Sequence, residues 1–253
     1  MDSAQLSTAV ATNIPPYVRP PVTTVPEVLE RLDEIQAYAE AHELLGPSDG
    51  VACFNRLYRT ITASVLRGLG TRRFKDPDFI ATLDVTFANR YFSAVRASVT
   101  EARVVAGAWR VLIERRDDRR IHPIQFAAAG VNAHVDLDLA VAVAATCVKM
   151  RSEPTSGKKH RDYMEINKIF AEQMQALRES YEQGPLARLL DRIAAPFLDL
   201  VSDAAVVEAR ALAWKRAVEL WALREKPAEE SAFVEQLDHE AQMAGRLLLE
   251  HIP

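Results

Sequence analysis

The stretch from Ile121 to about Met150 reads IHPIQFAAAGVNAHVDLDLAVAVAATCVKM. From Ile124 onward a helical projection of it is apolar on every side. That is the pattern of a helix enclosed by other helices rather than one lying on a surface. Yet it carries Asn132, His134, Asp136 and Asp138. A charge taken out of water is costly unless it is paired and hydrogen-bonded. These side chains therefore need partners, and the partners make either a fixed polar network or a site.

The rest of the chain supplies helices to enclose this one. Apolar residues recur at helical spacing over about Pro26–Leu45 (Leu29, Leu32, Ile35), with Thr24 as N-cap. They recur after Gly46-Pro47-Ser48-Asp49-Gly50 (Phe54, Tyr58, Ile61, Val65) until Gly68 and Gly70, with Ser48 or Asp49 as cap. A third stripe runs over about Pro77–Glu101, and a short amphipathic helix begins at Trp109. The charge run ERRDDRR after it reads as a solvated turn. RSEPTSGKKHR, after the central stretch, reads as an exposed basic loop. Helices follow from Asp162 to about Glu182, to Ile193, from Pro196, and over Val206–Arg224. On the last of these Val207, Arg210, Ala211, Trp214, Val218 and Trp221 share a face. The final helix, about Ala228–Leu249, is the most charged and is expected on the outside. No segment alternates with period two long enough to make a strand. The expectation is one compact all-α domain of eight or nine helices over residues 26–253, around a buried central helix. Residues 1–25 form an extended proline-rich arm, read as a loose tail rather than a cover for a pocket.

Composition excludes more than it assigns. The 253 residues are 49% hydrophobic and 26% charged, ordinary for a globular protein. A net charge of −4 gives no electrostatic ground for nucleic acid or an anionic membrane. Cys53 and Cys147 both lie in apolar helical patterns, which fits a reducing cytoplasm and not a disulfide scaffold. MDSAQLSTAV has no basic region ahead of an apolar one, so no secretory signal is expected. The longest apolar run, Leu139–Val148, is too short to span a bilayer. A small-molecule partner is expected, and a homodimer stays open.

Familiar catalytic motifs fail on context. Residues 46–50 match G-x-S-x-G, but a helix precedes the serine where the hydrolase elbow needs a strand. No glutamate lies three residues before a histidine. His42-Glu43 and His239-Glu240 lack the second zincin histidine. Asp117-Asp118 lacks a later acid, and Gly68-Leu69-Gly70 lacks the third glycine of a phosphate loop.

What remains is the polar set of the central helix. Residues four apart share a helix face, so Asn132 and Asp136 form one pair, and His134 and Asp138 form another nearly opposite. A His–Asp pair can orient an imidazole as a general base or supply two ligands to a metal. His160 and Asp162, just past the basic loop, are the candidates to complete a metal set. Asn167 and Arg210 lie inside apolar stripes, where packing alone would choose apolar residues. Arg210 could neutralise Asp138 or Asp162. Tyr58, Arg90 and Tyr91 lie on or beside such stripes. The residues alone leave a structural network, a metal-free acid–base pocket and a metal site all open.

Several spaced segments carry a family resemblance. DGVACFNRLY (49–58), Thr62, DVTFANRYFSAV (84–95), Trp109-Arg110, AAGVNAHVDLDLAVAV (128–143), RDYMEIN (161–167) and EARALAW (208–214) occur in this order. Over about residues 25–222 the chain resembles the DUF5995 family, an uncharacterised group of bacterial and fungal proteins. The resemblance implies a helical domain that gathers polar residues from separate helices. The shared set maps onto Asp49, Tyr58, Arg90, Asn132, His134, Asp138, Asp162, Asn167 and Arg210. The family pattern tends to have Asn where this chain has Asp136.

Three functional readings follow. The first is a small-molecule enzyme without a cofactor, its acid–base set drawn from His134, Asp138, Asp162 and Arg210. Tyr58, Arg90, Tyr91, Asn132, Asn167 and Asp49 would contact the substrate. Hydrolysis, or a proton-transfer cyclisation of the kind found in secondary metabolism, suits it. The second is a hydrolase dependent on zinc or another divalent metal, with His134, Asp138, His160 and Asp162 as ligands. The third is a non-catalytic binding module whose buried polar residues lock the helices together.

Overall fold

The computed structural model describes residues 19–41, 48–100, 105–182 and 203–251. Among them are eight helices and no strand: α1 (Val25–Glu40), α2 (Gly50–Leu69), α3 (Pro77–Thr100), α4 (Gly107–Glu114), α5 (Pro123–Lys149), α6 (Lys158–Glu182), α7 (Asp203–Leu223) and α8 (Pro227–Leu248). The expected helices to Ile193 and from Pro196 lie outside the described residues.

The central stretch is α5, and it is the axis of the fold. α2 and α8 pack along its first half, α3 and α7 along its second, and α4 closes over its middle. Taken whole, α5 is long and apolar enough to cross a bilayer, which the run Leu139–Val148 alone did not suggest. Its most apolar window is 72% buried inside the protein, as a core helix should be.

Local chemistry sets the helix ends. Thr24 accepts from Glu27 N at 3.3 Å, while the Glu27 carboxylate accepts from Thr23 N at 2.7 Å. Asp49 caps α2 by accepting from Val51 N and Ala52 N at 2.9 and 3.1 Å. Gln125, fully buried at the start of α5, donates to the carbonyls of Leu248 and Glu250 at 2.9 and 2.7 Å. It thereby ties down the end of α8, whose buried stripe is narrow: Leu237, Ala241, Gly245 and Leu248.

Four expectations need correction. The buried face of α7 is Val206, Arg210, Ala213, Trp214, Ala217 and Leu220, while Val207 and Val218 are exposed. Alanines at the seam let α7 approach α5 more closely than valines would. The run ERRDDRR is not simply solvated. Arg115 donates to Leu249 O at 2.6 Å, and Arg116 pairs with Asp49 at 2.7 Å. α6 begins at Lys158, so His160 sits within the helix rather than in the basic loop, and Asp162 lies in its second turn rather than at its start. Of the proline-rich arm, residues 1–18 lie outside the described residues, but the next few are held. Asn89 on α3 brackets Val22, accepting from its N–H and donating to its carbonyl, both at 2.9 Å.

Candidate active site

Between Ala133 and Asp138 the central helix widens into a π turn, and Leu139 N–H donates to His134 O five residues back. Such turns are uncommon in helices and are often found at functional sites. The widened turn sets Asp138 Oδ2 3.2 Å from His134 Nδ1. Asp138 is 2% exposed and receives two further donors, Arg90 Nε to Oδ1 at 2.7 Å and Trp109 Nε1 to Oδ2 at 2.8 Å. Burial by itself would raise the pKa of this carboxyl. Arg90, His134 and Trp109 outweigh burial and hold it below the ordinary carboxylate range.

His134 is equally buried. Burial lowers its pKa, and the partly opposing pull of Asp138 does not restore it. The ring is therefore neutral at neutral pH. With an ionised acceptor at Nδ1, the single ring proton belongs on Nδ1, leaving Nε2 as a lone-pair acceptor. The imidazole stacks on Phe87, 3.4 Å between centroids, and meets Tyr58 edge-on at 4.6 Å. Phe54 closes a third side at 5.6 Å. Phe54 can lie there only because residue 130 is glycine, since a Cβ would fall 2.3 Å from its Cγ.

His134 lines a cavity of about 80 Å³ between α2, α3, α5, α6 and α7, and its Nε2 is buried. That is room for several waters or a small ligand. Its walls are mainly apolar, among them Leu83, Phe87, Val135, Leu139, Ile166 and Phe170. The polar or charged groups on it are Tyr58, Thr62, Asp84, His134 and Arg210. Tyr58 Oη, Thr62 Oγ1, Asp84 Oδ2 and His134 Nε2 are all buried without a well-formed hydrogen bond. Buried polar atoms rarely go unmatched; Tyr58 and Thr62 lie beside each other, which leaves Asp84 Oδ2 and His134 Nε2 as the two without a protein partner among the residues that line the cavity. Burial alone pushes the Asp84 carboxyl up to about 7. Burial also raises the Tyr58 phenol well above its usual value, Asp84 adds to this, and hydrogen bonding with the Thr62 hydroxyl opposes it.

The other expected site residues have structural partners. Asp49 caps α2 and pairs with Arg116. Asn132 donates to Ala241 O at 2.7 Å, on the side of α5 away from His134. Tyr91 donates to Asn55 Oδ1 at 3.3 Å. Asp162 Oδ2 accepts from Lys75 N and Asp76 N at 2.6 and 2.5 Å and so fastens the link into α3. Arg90 acts through Asp138. Arg210 meets neither Asp138 nor Asp162. Its Nε donates to Asn167 Oδ1 at 2.5 Å, its Nη2 to Tyr163 O at 2.8 Å, and its guanidinium lies 4.3 Å over the Tyr163 ring. An amide oxygen, a peptide carbonyl and an aromatic face stand where a carboxylate was expected.

The proposed metal ligands do not gather. Among the described residues no three His, Cys, Asp or Glu side chains converge as a metal set. His160 packs against Trp214 at 4.8 Å, and Asp162 is engaged by the α3 link. Asp136, pushed up to about 6 by burial, lies toward Arg216 and Glu240 rather than the cavity.

Asp84, Thr62 and Trp109 were missed as site residues. Asp84 had a legible signal. Ile80, four residues before it, and Phe87, three after, put this acid on the apolar stripe of α3. Nothing local marks the Trp109 indole as the second donor to Asp138.

Fold and site together define an all-α protein with an oriented, buried histidine on an apolar cavity. Residues 25–251 match the family described as "Family of unknown function (DUF5995)", and the chain belongs to that family. No curated protein and no solved structure shows significant similarity to it.

Proposed function

We propose that this protein is a small-molecule enzyme working by acid–base chemistry in its apolar cavity, with His134 as the general base. The supporting observation is the unpartnered Nε2 of His134, a residue lining that cavity, with Nδ1 held by Asp138. Arg90 and Trp109 are positioning residues. They keep Asp138 ionised and aimed, and an ionised Asp138 stabilises the imidazolium that forms when Nε2 takes a proton. A purely structural network accounts for Asp49, Asn132 and Asp162, but it leaves Nε2 without a purpose. A reducing, cytoplasmic setting belongs to the same reading, supported by two buried cysteines not joined in a disulfide.

Diethyl pyrocarbonate, which acylates neutral imidazoles, tests this by peptide mapping. We expect His134 to be labelled through the cavity, with the rate falling as pH drops through its lowered pKa. Labelling of the exposed His239 and His251 with none at His134 would contradict the reading.

A further inference from the structure

We propose that Tyr58 and Asp84 together form a hydrogen-bonding seat for the oxygen of a small, largely apolar carbonyl compound, from which His134 removes a proton at the adjacent carbon. This rests on the reading of His134 as a base and adds the substrate class and two further catalytic residues. The argument is one of complementarity. Tyr58 Oη and Asp84 Oδ2 are both buried, the phenol has only the Thr62 hydroxyl beside it and the acid oxygen has no donor, and both residues line the cavity that His134 also lines. Tyr58 and Asp84 lie close enough for the acid's charge to bear on the phenol, and the Tyr58 ring meets the imidazole at 4.6 Å. A ligand that satisfies all three presents one acceptor oxygen to two donors and an acidic hydrogen to the imidazole.

Asp84 serves as a donor only when protonated, and its surroundings favour that form. The charged or titratable groups on the cavity are Tyr58 from α2, Asp84 from α3, His134 from α5 and Arg210 from α7; α6 contributes only Ile166 and Phe170. Arg210 is engaged by Asn167 and Tyr163, and no cation offsets the burial of Asp84. A tyrosine beside a carboxylic acid kept neutral by an apolar site is a known way to hold an enolate oxygen.

The step balances without a co-reactant. Nε2 takes the proton from the carbon next to the carbonyl. The C–H electron pair becomes the carbon–carbon double bond, and the carbonyl π pair moves to the oxygen held by Tyr58 and Asp84. The imidazolium then returns the proton, to the same carbon or to one further along a conjugated chain. The product is an isomer of the substrate.

The test uses the full chain and a nitrophenol acidic enough to stay ionised throughout, an enolate mimic followed by absorbance. We expect it to bind, with affinity falling roughly tenfold per pH unit above about 7, where Asp84 becomes a like charge. Asp84→Asn keeps a donor and should bind with that pH dependence gone. Tyr58→Phe should weaken binding about tenfold. His134→Gln should keep the fall above about 7, which separates it from any titration of the imidazole. Absence of binding by the wild type, or binding with no fall in that range, overturns the proposal. Should Asp84→Asn not fold, the wild-type and His134→Gln curves still decide. If the nitrophenol test fails while His134 is still acylated, the seat is wrong and the base stands. If the seat behaves as expected and His134 resists acylation, the base is wrong.

Discussion

Asp162, fully buried, and Asp84, half-buried with one oxygen enclosed, are two acids treated in opposite ways. Asp162 takes two backbone N–H groups on one oxygen and pins the link before α3. Asp84 has a buried oxygen with no donor, near the Tyr58 phenol and on the cavity that His134 also lines. The same contrast separates Asn132, whose amide reaches Ala241 O, from His134, whose outer nitrogen reaches nothing. A buried polar group whose atoms are all engaged explains itself by stability. One with an atom left over costs stability, and under the proposed reading a bound small molecule offsets that cost. Most of the polar residues expected at the site belong to the first kind.

The contrast is broken most forcefully by removing an acid that is engaged. Asp162→Ala strands two backbone donors and should cost about 2 kcal/mol in urea denaturation. Thr62→Val, which deletes a buried hydroxyl with only the Tyr58 phenol beside it, should stay within about 0.5 kcal/mol of wild type or gain stability. Equal losses in the two variants would erase the distinction.

A pH series on Asp84→Asn sharpens it. An unfolded aspartate ionises near 3.8 and this one near 7, so the folded chain holds the proton more tightly. Stability from that difference is complete below the lower value and lost as pH rises through the upper one. Wild type should therefore weaken relative to Asp84→Asn across this window, by a few kcal/mol at most, and then level off. Parallel curves would mean that Asp84 reaches solvent or a partner.

Much of this was legible in the chain. The all-round apolar character of residues 124–150 marked the axis of the fold, and spacing of four joined His134 to Asp138. Thr24 announced its cap by residue type and position, and Asp49 was one of two adjacent residues, with Ser48, that fitted the next. Other features leave no local trace. A π turn changes one hydrogen-bond register without a residue that signals it. Periodicity says which side chains share a face but not what that face meets. Hence Arg210 was matched to carboxylates when an amide, a carbonyl and a tyrosine ring were its partners. On α7 hydrophobicity favoured Val207 and Val218 for the interior, whereas close helix approach favoured Ala213 and Ala217. Asp84 was readable by the rule that singled out Asn167, since both interrupt an apolar stripe.

The claim that carries the rest is that His134, on the cavity wall, holds a bare, basic nitrogen. Nitrogen-15 NMR of the histidine rings near neutral pH reads it directly. The account predicts a neutral His134 with its proton on Nδ1 and an unprotonated Nε2. An imidazolium, or a proton resident on Nε2, would contradict it.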